Sequence, residues 1–269
     1  MGLYQKVHMS IRAHRYLWKG EPDECRFVCD CLMPGAVAVD VGAHKGAFTY
    51  WMSSKVGREG HVYAYEPQPT MSDYLTSYAS GCRYRNVTVA PVALSDKRGR
   101  ANLVIPSGST CWAHLQSSNH SDSGQVIDVP LETLDAHLQS LNVRRPVEFI
   151  KCDVELHELP VLRGALEILQ RDRPLLLVES HHLLRQPAAG NTTFLFLQEL
   201  GYVGHLFYNR ALVPLDEYSI AMKLREDQSV QNFVFLHPES IALISAKPPY
   251  AVKRLVSHGS AAEGLRRVA

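Results

Sequence analysis

The chain predicts an α/β fold in which a mostly parallel sheet carries helices on both faces. Three observations point there. Apolar runs such as AVAVDVG (36–42), VEFIKCD (147–153) and PLLLVES (174–180) lack the alternation of a half-exposed strand and read as strands covered on both sides. Helical stretches separate these runs at the rhythm of βαβ units. The strand ends carry glycine and acids, as expected of a crevice at the carboxyl edge of an open sheet.

Taken in order, a helix over 23–33 should be capped by Asp23 after Pro22 and stopped by Pro34-Gly35. The first strand ends at Gly42, a helix follows over 44–57, and Gly57 and Gly60 turn the chain into HVYAYEP (61–67). A second helix spans 69–80, and NVTVAPVALSD (86–96) is a third strand with a short return. ANLVIP (101–106) alternates like a strand, whereas about 106–125 is a Ser-, Asn- and Gly-rich polar insertion. The fourth strand, 147–153, leads into a helix over 159–172 with Leu159, Leu162, Leu166 and Leu169 along one face. A fifth strand at 174–180, a helix at 191–201, and strands at 202–208 and 232–238 complete the pattern. This gives an N-terminal helical segment (1–36), one domain over 37–246, and a basic, fraying tail (247–269).

Composition excludes several functional classes. Among 269 residues, 46% are hydrophobic and 20% charged with a net charge of +1, so nothing global indicates a nucleic-acid partner. No run approaches the ~18 apolar residues of a transmembrane helix, and the N-terminus, interrupted by Lys6, Arg12 and Arg15, lacks a signal-peptide core. Lys6 also breaks a myristoylation pattern. Cys25, Cys29 and Cys31 match no common zinc frame, while Cys82, Cys111 and Cys152 stand singly; reduced thiols in a cytoplasmic protein are expected.

The stretch VAVDVGAHKGAF (37–48) makes the first strand–helix turn. Its pattern is G-x-x-x-G, with Ala43 where a dinucleotide fingerprint carries the glycine that admits a pyrophosphate. That absence disfavours a nicotinamide and fits a cofactor without phosphates. Glu66, at the tip of the next strand, is placed to accept ribose hydroxyls.

With the segments VDVGAHKGAFT (39–49), VYAYEP (62–67), VALSDKRG (92–99), LETLDAHL (131–138), IKCDVELHELPVLRGA (150–165), PLLLVES and NFVFLHP (232–238) in this order, the chain resembles the FkbM-type S-adenosylmethionine-dependent methyltransferases. The resemblance implies a Rossmann-like class I methyltransferase: a seven-stranded, mostly parallel sheet whose last strand is antiparallel, with S-adenosyl-L-methionine as cofactor. It implies methyl transfer, usually to a hydroxyl of a sugar, glycolipid or secondary metabolite. By position, Gly42, Ala43 and Gly46 flank the amino-acid part of the cofactor, Glu66 binds the ribose, and Ala93, Leu94 and Ser95 edge the adenine. Asp153 lies beside the reacting methyl, and Asp40, His44, Lys45, Pro67 and Glu155 complete the cofactor set. In one departure, Leu156 stands where the family usually has glycine, a costly residue if the backbone there needs φ > 0.

An alcohol is a poor nucleophile near neutral pH, so a placed base is required, a contribution of typically ~10²–10⁴-fold. Asp153, aided by His181 or His182 beyond the fifth strand, is the candidate to align or deprotonate the hydroxyl. Glu155 either serves the site or caps the coming helix, and Glu158 starts that helix, where its charge suits the N-terminal dipole. A divalent cation on Asp153, Glu179 and His181 is the less favoured alternative. His44 and His157 read as solvated loop residues, and Trp18, Trp112 and His114 are the candidates to meet the acceptor. The expected partner is a small-molecule or glycolipid acceptor, with no nucleic acid, and a homodimer stays open. The alternatives are N-methylation of an amine and cofactor binding without catalysis.

Overall fold

The computed structural model describes residues 3–81, 85–108, 111–116, 124–180, 192–208, 211–215 and 232–240. Helix α1 (Leu3–Arg15) runs into a π-helical turn (Tyr16–Gly20) and α2 (Pro22–Cys31). The core then alternates β1 (Val37–Val41), α3 (Ala47–Val56), β2 (His61–Tyr65), α4 (Pro69–Gly81), β3 (Val87–Ala90) and β4 (Ala93–Leu94). After β5 (Gly99–Pro106), β6 (His114–Leu115) and β7 (Gly124–Glu132) come α5 (Leu134–Ser140), β8 (Phe149–Cys152), α6 (Glu158–Arg163), α7 (Leu166–Arg171) and β9 (Leu175–Glu179). Helix α8 (Thr192–Glu199) precedes β10 (Val203–Tyr208), β11 (Ala211–Pro214) and β12 (Asn232–Leu236).

The main sheet has the order β11-β10-β12-β9-β8-β1-β2-β3. Strands β3, β2, β1, β8 and β9 pair in parallel, and β12 is antiparallel to both β9 and β10. The Rossmann-like sheet with one inserted antiparallel strand is therefore present, but it has eight strands rather than seven. The additional edge strand, β11, folds back on β10 as an antiparallel hairpin.

Alternate residues of each central strand enter opposite cores. Val37, Val39, Val41, Ile150, Cys152, Leu176 and Val178 join the core shared with α5 to α8. Ala38, Phe149, Leu175, Leu177, Val234 and Leu236 pack with residues of α2 and α3. This two-sided burial is why the strands read as continuous apolar runs. Helix α1 belongs to the core as well: Met9 is buried with Ala43, Ala64, Leu75 and Tyr78, and the Trp51 indole donates to the Ala13 carbonyl at 3.0 Å.

Other expectations need correction. Asp23 does not cap α2; Glu21 holds the N-cap position without a side-chain bond, and Pro22 takes the first helical position, where its missing N–H costs nothing. The helix expected over 159–172 is two helices broken at Gly164-Ala165. A Cβ on Gly164 would lie 1.9 Å from the Ser95 carbonyl oxygen, so the chain passes too close there for any other residue. Leu166 consequently leaves the apolar face and is 36% exposed. The Asp135 carboxylate accepts from Glu167 N–H (2.9 Å) and Ile168 N–H (3.1 Å), restarting the helix as α7. Pro106, His114, Leu115, Gly124 and Gln125 of the expected insertion belong to a second, four-stranded sheet, β4-β7-β5-β6, in which β5 and β7 pair along eight residues. Among the described residues no helix is long and apolar enough to cross a membrane. The tail beyond 246 and Cys82 lie outside the described residues, whose cysteines are free thiols.

Beyond β8 the chain takes a left-handed turn: Glu155 has φ +51° and Leu156 φ +73°. The conformation that suits glycine is thus retained with leucine in it. Leu156 is 53% exposed, so burial offsets little of the steric cost. Replacing Leu156→Gly should raise stability by roughly 0.5–1 kcal/mol, the relief of left-handed strain exceeding the added freedom of the unfolded chain. Denaturant midpoints of the two proteins check this, and an unchanged or lower midpoint would show the turn to be unstrained.

Candidate active site

The parallel register sets Asp40 of β1 directly beside Lys151 of β8. By strand alternation both point to the α2–α3 face, together with Asp153 and Glu179. There the Thr49 hydroxyl donates to Asp40 Oδ2 at 2.5 Å, and Lys151 Nζ lies 4.0 Å from Asp40 Oδ1 and 2.9 Å from Asp153 Oδ2. The ammonium also sits 4.9 Å from the centre of the Phe48 ring. Burial alone would depress the lysine pKa, but Asp153, Asp40 and Glu21 outweigh it and hold Lys151 charged. Burial raises the Asp40 pKa, opposed chiefly by Lys151.

This network floors a cleft of about 720 Å³ at the carboxyl ends of β1, β2, β8 and β9. On one side Asp153, Glu155 and Glu179 bring carboxylate oxygens within 4.8 Å of one another. Desolvation, then a hydrogen bond with Asp153 and the charges of Asp153 and Glu155, push the Glu179 pKa far above the usual carboxylate range. Glu179 thus holds a proton and donates it to Asp153. Burial, with Asp153 second, raises Glu155 to about 7. Across the cleft the π-helical turn and the residue after it supply Tyr16 and Glu21; burial raises both, Glu21 to about 7.

On the other side Glu66 is 3% exposed at the end of β2. One oxygen accepts from His44 N–H at 2.7 Å and the other from Gln68 N–H at 2.8 Å, leaving further lone pairs on each. Burial still raises its pKa to about 7. The N–H groups of Gly42 and Ala43 both donate to the Tyr65 carbonyl at 3.0 Å, and that of Gly46 to Ala43 at 2.7 Å. The amides of Gly42, Ala43, His44 and Gly46 are therefore consumed within the protein and are not turned outward as a nest for a pyrophosphate. Val92, Ala93 and Leu94 give an apolar wall beyond Glu66. A buried acceptor, an apolar wall and no phosphate cradle fit S-adenosylmethionine better than a dinucleotide.

The cleft brings together Gly42, Ala43, His44, Lys45, Glu66, Pro67, Ala93, Leu94, Asp153, Glu155, Glu179, Trp112 and His114. Asp40, Gly46, Ser95 and Trp18 are not in its lining. Asp40 acts from behind Lys151, and Ser95 is buried in a hydrogen bond with His157 Nε2 at 2.9 Å. Trp18 is 70% exposed. Gly42 and Gly46 are required by the chain itself: with φ near +75° at both, a Cβ would meet the Asp153 carbonyl at 1.8 Å and Leu75 at 2.5 Å.

His44 and His157 are not the solvated loop residues expected. Burial, Lys45 and Arg12 lower His44 to about 4, and burial also lowers His157, so both rings are neutral near pH 7. Glu155 does not cap α6; His157 holds that position. Glu158 accepts from Leu156 N–H at 3.2 Å, in keeping with its structural reading. His181 and His182 lie outside the described residues. Sequence reading missed Arg12, Tyr16, Glu21, Phe48 and Lys151 in the cleft. A lysine between Ile150 and Cys152 in an otherwise apolar strand was the available signal for the last; the N-terminal residues offered none.

The Methyltransferase FkbM domain matches residues 40–203. No curated protein sequence matches the chain. Among solved structures, methyltransferase FkbM from Methylobacillus flagellatus KT is similar at a TM-score of 0.48 and 15% identity, over 87% of this chain and 55% of that one. The chain thus spans little more than half the length of that protein. Cofactor-bound Rv0187 from MTB gives 0.47 at 10% identity, over 87% of this chain and 89% of that one. Aeropyrum pernix fibrillarin, solved with natively bound S-adenosyl-L-methionine, gives 0.46 at 13%, over 77% and 68%. The sequence match carries the assignment: running from Asp40 in β1 to Val203 in β10 and including every acid of the cleft but Glu21, it shows that the chain belongs to the FkbM family of S-adenosylmethionine-dependent methyltransferases.

Proposed function

We propose that the chain methylates a hydroxyl oxygen of a sugar, glycolipid or secondary-metabolite acceptor. The observation that carries this is the group Asp153, Glu155 and Glu179 beside Lys151, facing Glu66 across one cleft. S-adenosylmethionine, when bound, supplies an electrophilic methyl on a good leaving group. Glu66 would accept the ribose hydroxyls, Val92, Ala93 and Leu94 would cover the adenine, and Gly42 to Lys45 would border the amino-acid end. Asp153, fixed by Lys151, orients the acceptor hydroxyl, and Glu155 takes its proton. With a pKa of about 7, Glu155 matches a proton acceptor that must be half ionised at working pH. Glu179, protonated, adds no third negative charge beside Asp153 and Glu155.

The acid cluster disfavours an amine acceptor, because nearby carboxylates stabilise the protonated, non-nucleophilic ammonium. The same three carboxylates are spaced to ligate a divalent cation. Lys151, 2.9 Å from Asp153, already supplies a counter-charge there.

Calorimetry should show heat with S-adenosylmethionine and none with NAD; Glu66→Gln should weaken the former roughly tenfold, the loss of a charged acceptor. No heat with S-adenosylmethionine would defeat the proposal.

Turnover should rise with pH through about 7 and level above it, following ionisation of Glu155. Glu155→Gln should abolish that limb and cut kcat by ~10²–10⁴-fold while sparing cofactor binding. A variant that keeps the limb would remove Glu155 from proton transfer.

Glu179 gives a third prediction. Unfolded, it ionises near its ordinary pKa of 4.5; folded, it keeps its proton to much higher pH. Above about pH 5 folding must therefore take up a proton, and stability falls as pH rises. Glu179→Gln avoids that uptake, so its melting temperature should exceed the parent's by a margin that grows from pH 5 to pH 8. A constant margin would place no titrating proton on Glu179.

A further inference from the structure

We infer that the outer face of α1 and the π-helical turn is a docking surface for an anionic phospholipid bilayer. Exposure along this segment follows one helical stripe. Val7 (47% exposed), Ile11 (61%) and Trp18 (70%) form an apolar row, while Met9 and Ala13 on the opposite side are fully buried. Arg15 and Lys19 are exposed beside that row. No aspartate or glutamate occurs anywhere in residues 1–20, which hold four lysines and arginines. A helical face with large apolar residues, a tryptophan and only positive charge is what an interfacial segment presents to acidic headgroups.

Charge selects this occupant over others. A second copy of the chain would set the same positive face against itself, which like charges oppose. Nucleic acid would satisfy Arg15 and Lys19 but leave Ile11 and Val7 without apolar contact. A bilayer satisfies both at once: the side chains enter the headgroup boundary while the cations meet phosphate.

The location gives the surface a use. Arg12 and Tyr16, on the same segment, line the cleft. A bilayer against the outer face would therefore lie beside the cleft mouth, where a lipid-linked acceptor could present its hydroxyl without leaving the membrane. The bilayer contact itself does not depend on the methyl-transfer reading; only this use of it does.

Sedimentation with vesicles tests the inference without turnover. The full chain should partition at least roughly tenfold more onto phosphatidylcholine vesicles containing phosphatidylglycerol than onto phosphatidylcholine alone, and high salt should erase the difference. Ile11→Ser with Trp18→Ser should lower partitioning to the anionic vesicles by roughly tenfold or more, at an unchanged melting temperature. Arg15→Glu with Lys19→Glu should do the same through charge alone. No preference for anionic vesicles, binding that survives both pairs of substitutions, or a dimer that the same substitutions dissociate would each overturn the inference. Failure of methyl transfer would appear in the calorimetry and rate measurements and leave this outcome readable.

Discussion

One buried ammonium organises the cleft. Lys151 lies in a strand covered on both faces, where an unpaired charge would be prohibitively costly. The parallel register answers this by placing Asp40 alongside, and strand alternation returns Asp153 to the same face two residues later. Losing either acid would leave the cation under-compensated, and losing the lysine would leave two acids facing each other. The backbone ladder holds the ends of β1 and β8 side by side, with Asp153 N–H donating to the Val41 carbonyl at 3.1 Å, and the Asp153 carbonyl rests where a side chain on Gly42 would be. That contact fixes the first turn, and the turn fixes the His44 amide that holds Glu66. The two halves of the cleft are therefore linked through the backbone contacts of β1 and β8 above the buried charges.

The same centre governs proton occupancy. Around a single lysine stand Asp40, Asp153, Glu155, Glu179 and Glu21, more acids than one cation can keep ionised. The excess is relieved unevenly. Asp153 is bonded directly to the ammonium; Glu179, bonded to Asp153, is pushed far above the usual carboxylate range and carries a proton; Glu155 and Glu21 rise only to about 7. Carboxyl groups whose surroundings push their titrations apart can divide orienting, proton holding and proton accepting among themselves. On the proposed mechanism this division needs no histidine, and the neutral state of His44 and His157 is consistent with that.

What the sequence made legible follows from the range of the forces concerned. Strands β1, β8 and β9 announce themselves because burial on both faces leaves no polar alternation. That Glu66, Asp153 and Glu179 share one cleft was legible because a parallel sheet puts every strand's carboxyl end on one edge. Leu156 was legible as an anomaly, and its positive φ shows the turn imposing its conformation on an unsuited residue. The break at Gly164 was not legible: its cause is the Ser95 carbonyl, distant in sequence and close only after folding. Strand β7 was hidden for the opposite reason, since it pairs over a polar, largely exposed surface and offers little hydrophobic signal. The edge strand β11 escaped for a different reason: Ala211–Pro214 is apolar but only four residues long. Arg12, Tyr16 and Glu21 reach the cleft only because α1 docks through Met9 and Ala13, a packing choice no local pattern encodes.

That last group bears on specificity. The residues matched to the family hold Glu66, Lys151 and the three clustered acids, on the proposed mechanism the parts that any acceptor would require. Arg12, Tyr16 and Glu21 come from before the matched segment, and on another side the small sheet contributes Leu103, His114 and Leu115, with Trp112 in the turn before β6. The cleft thus has a charged floor between two walls, one from before the matched segment and one from within it. Its floor is tied to the core by buried charge and has little freedom to vary, because every change there leaves an ion unpaired. The exposed part of the walls is less constrained: Trp112 is 64% exposed, whereas Leu103 is 3% exposed and Tyr16 packs on the core beside the Phe48 ring. Substitution at an exposed position such as Trp112 costs little stability, so on the proposed function acceptor choice can change there while the chemistry beneath stays fixed. A basic, apolar outer face on one of those walls then extends the choice from the acceptor's shape to the surface on which the acceptor is presented.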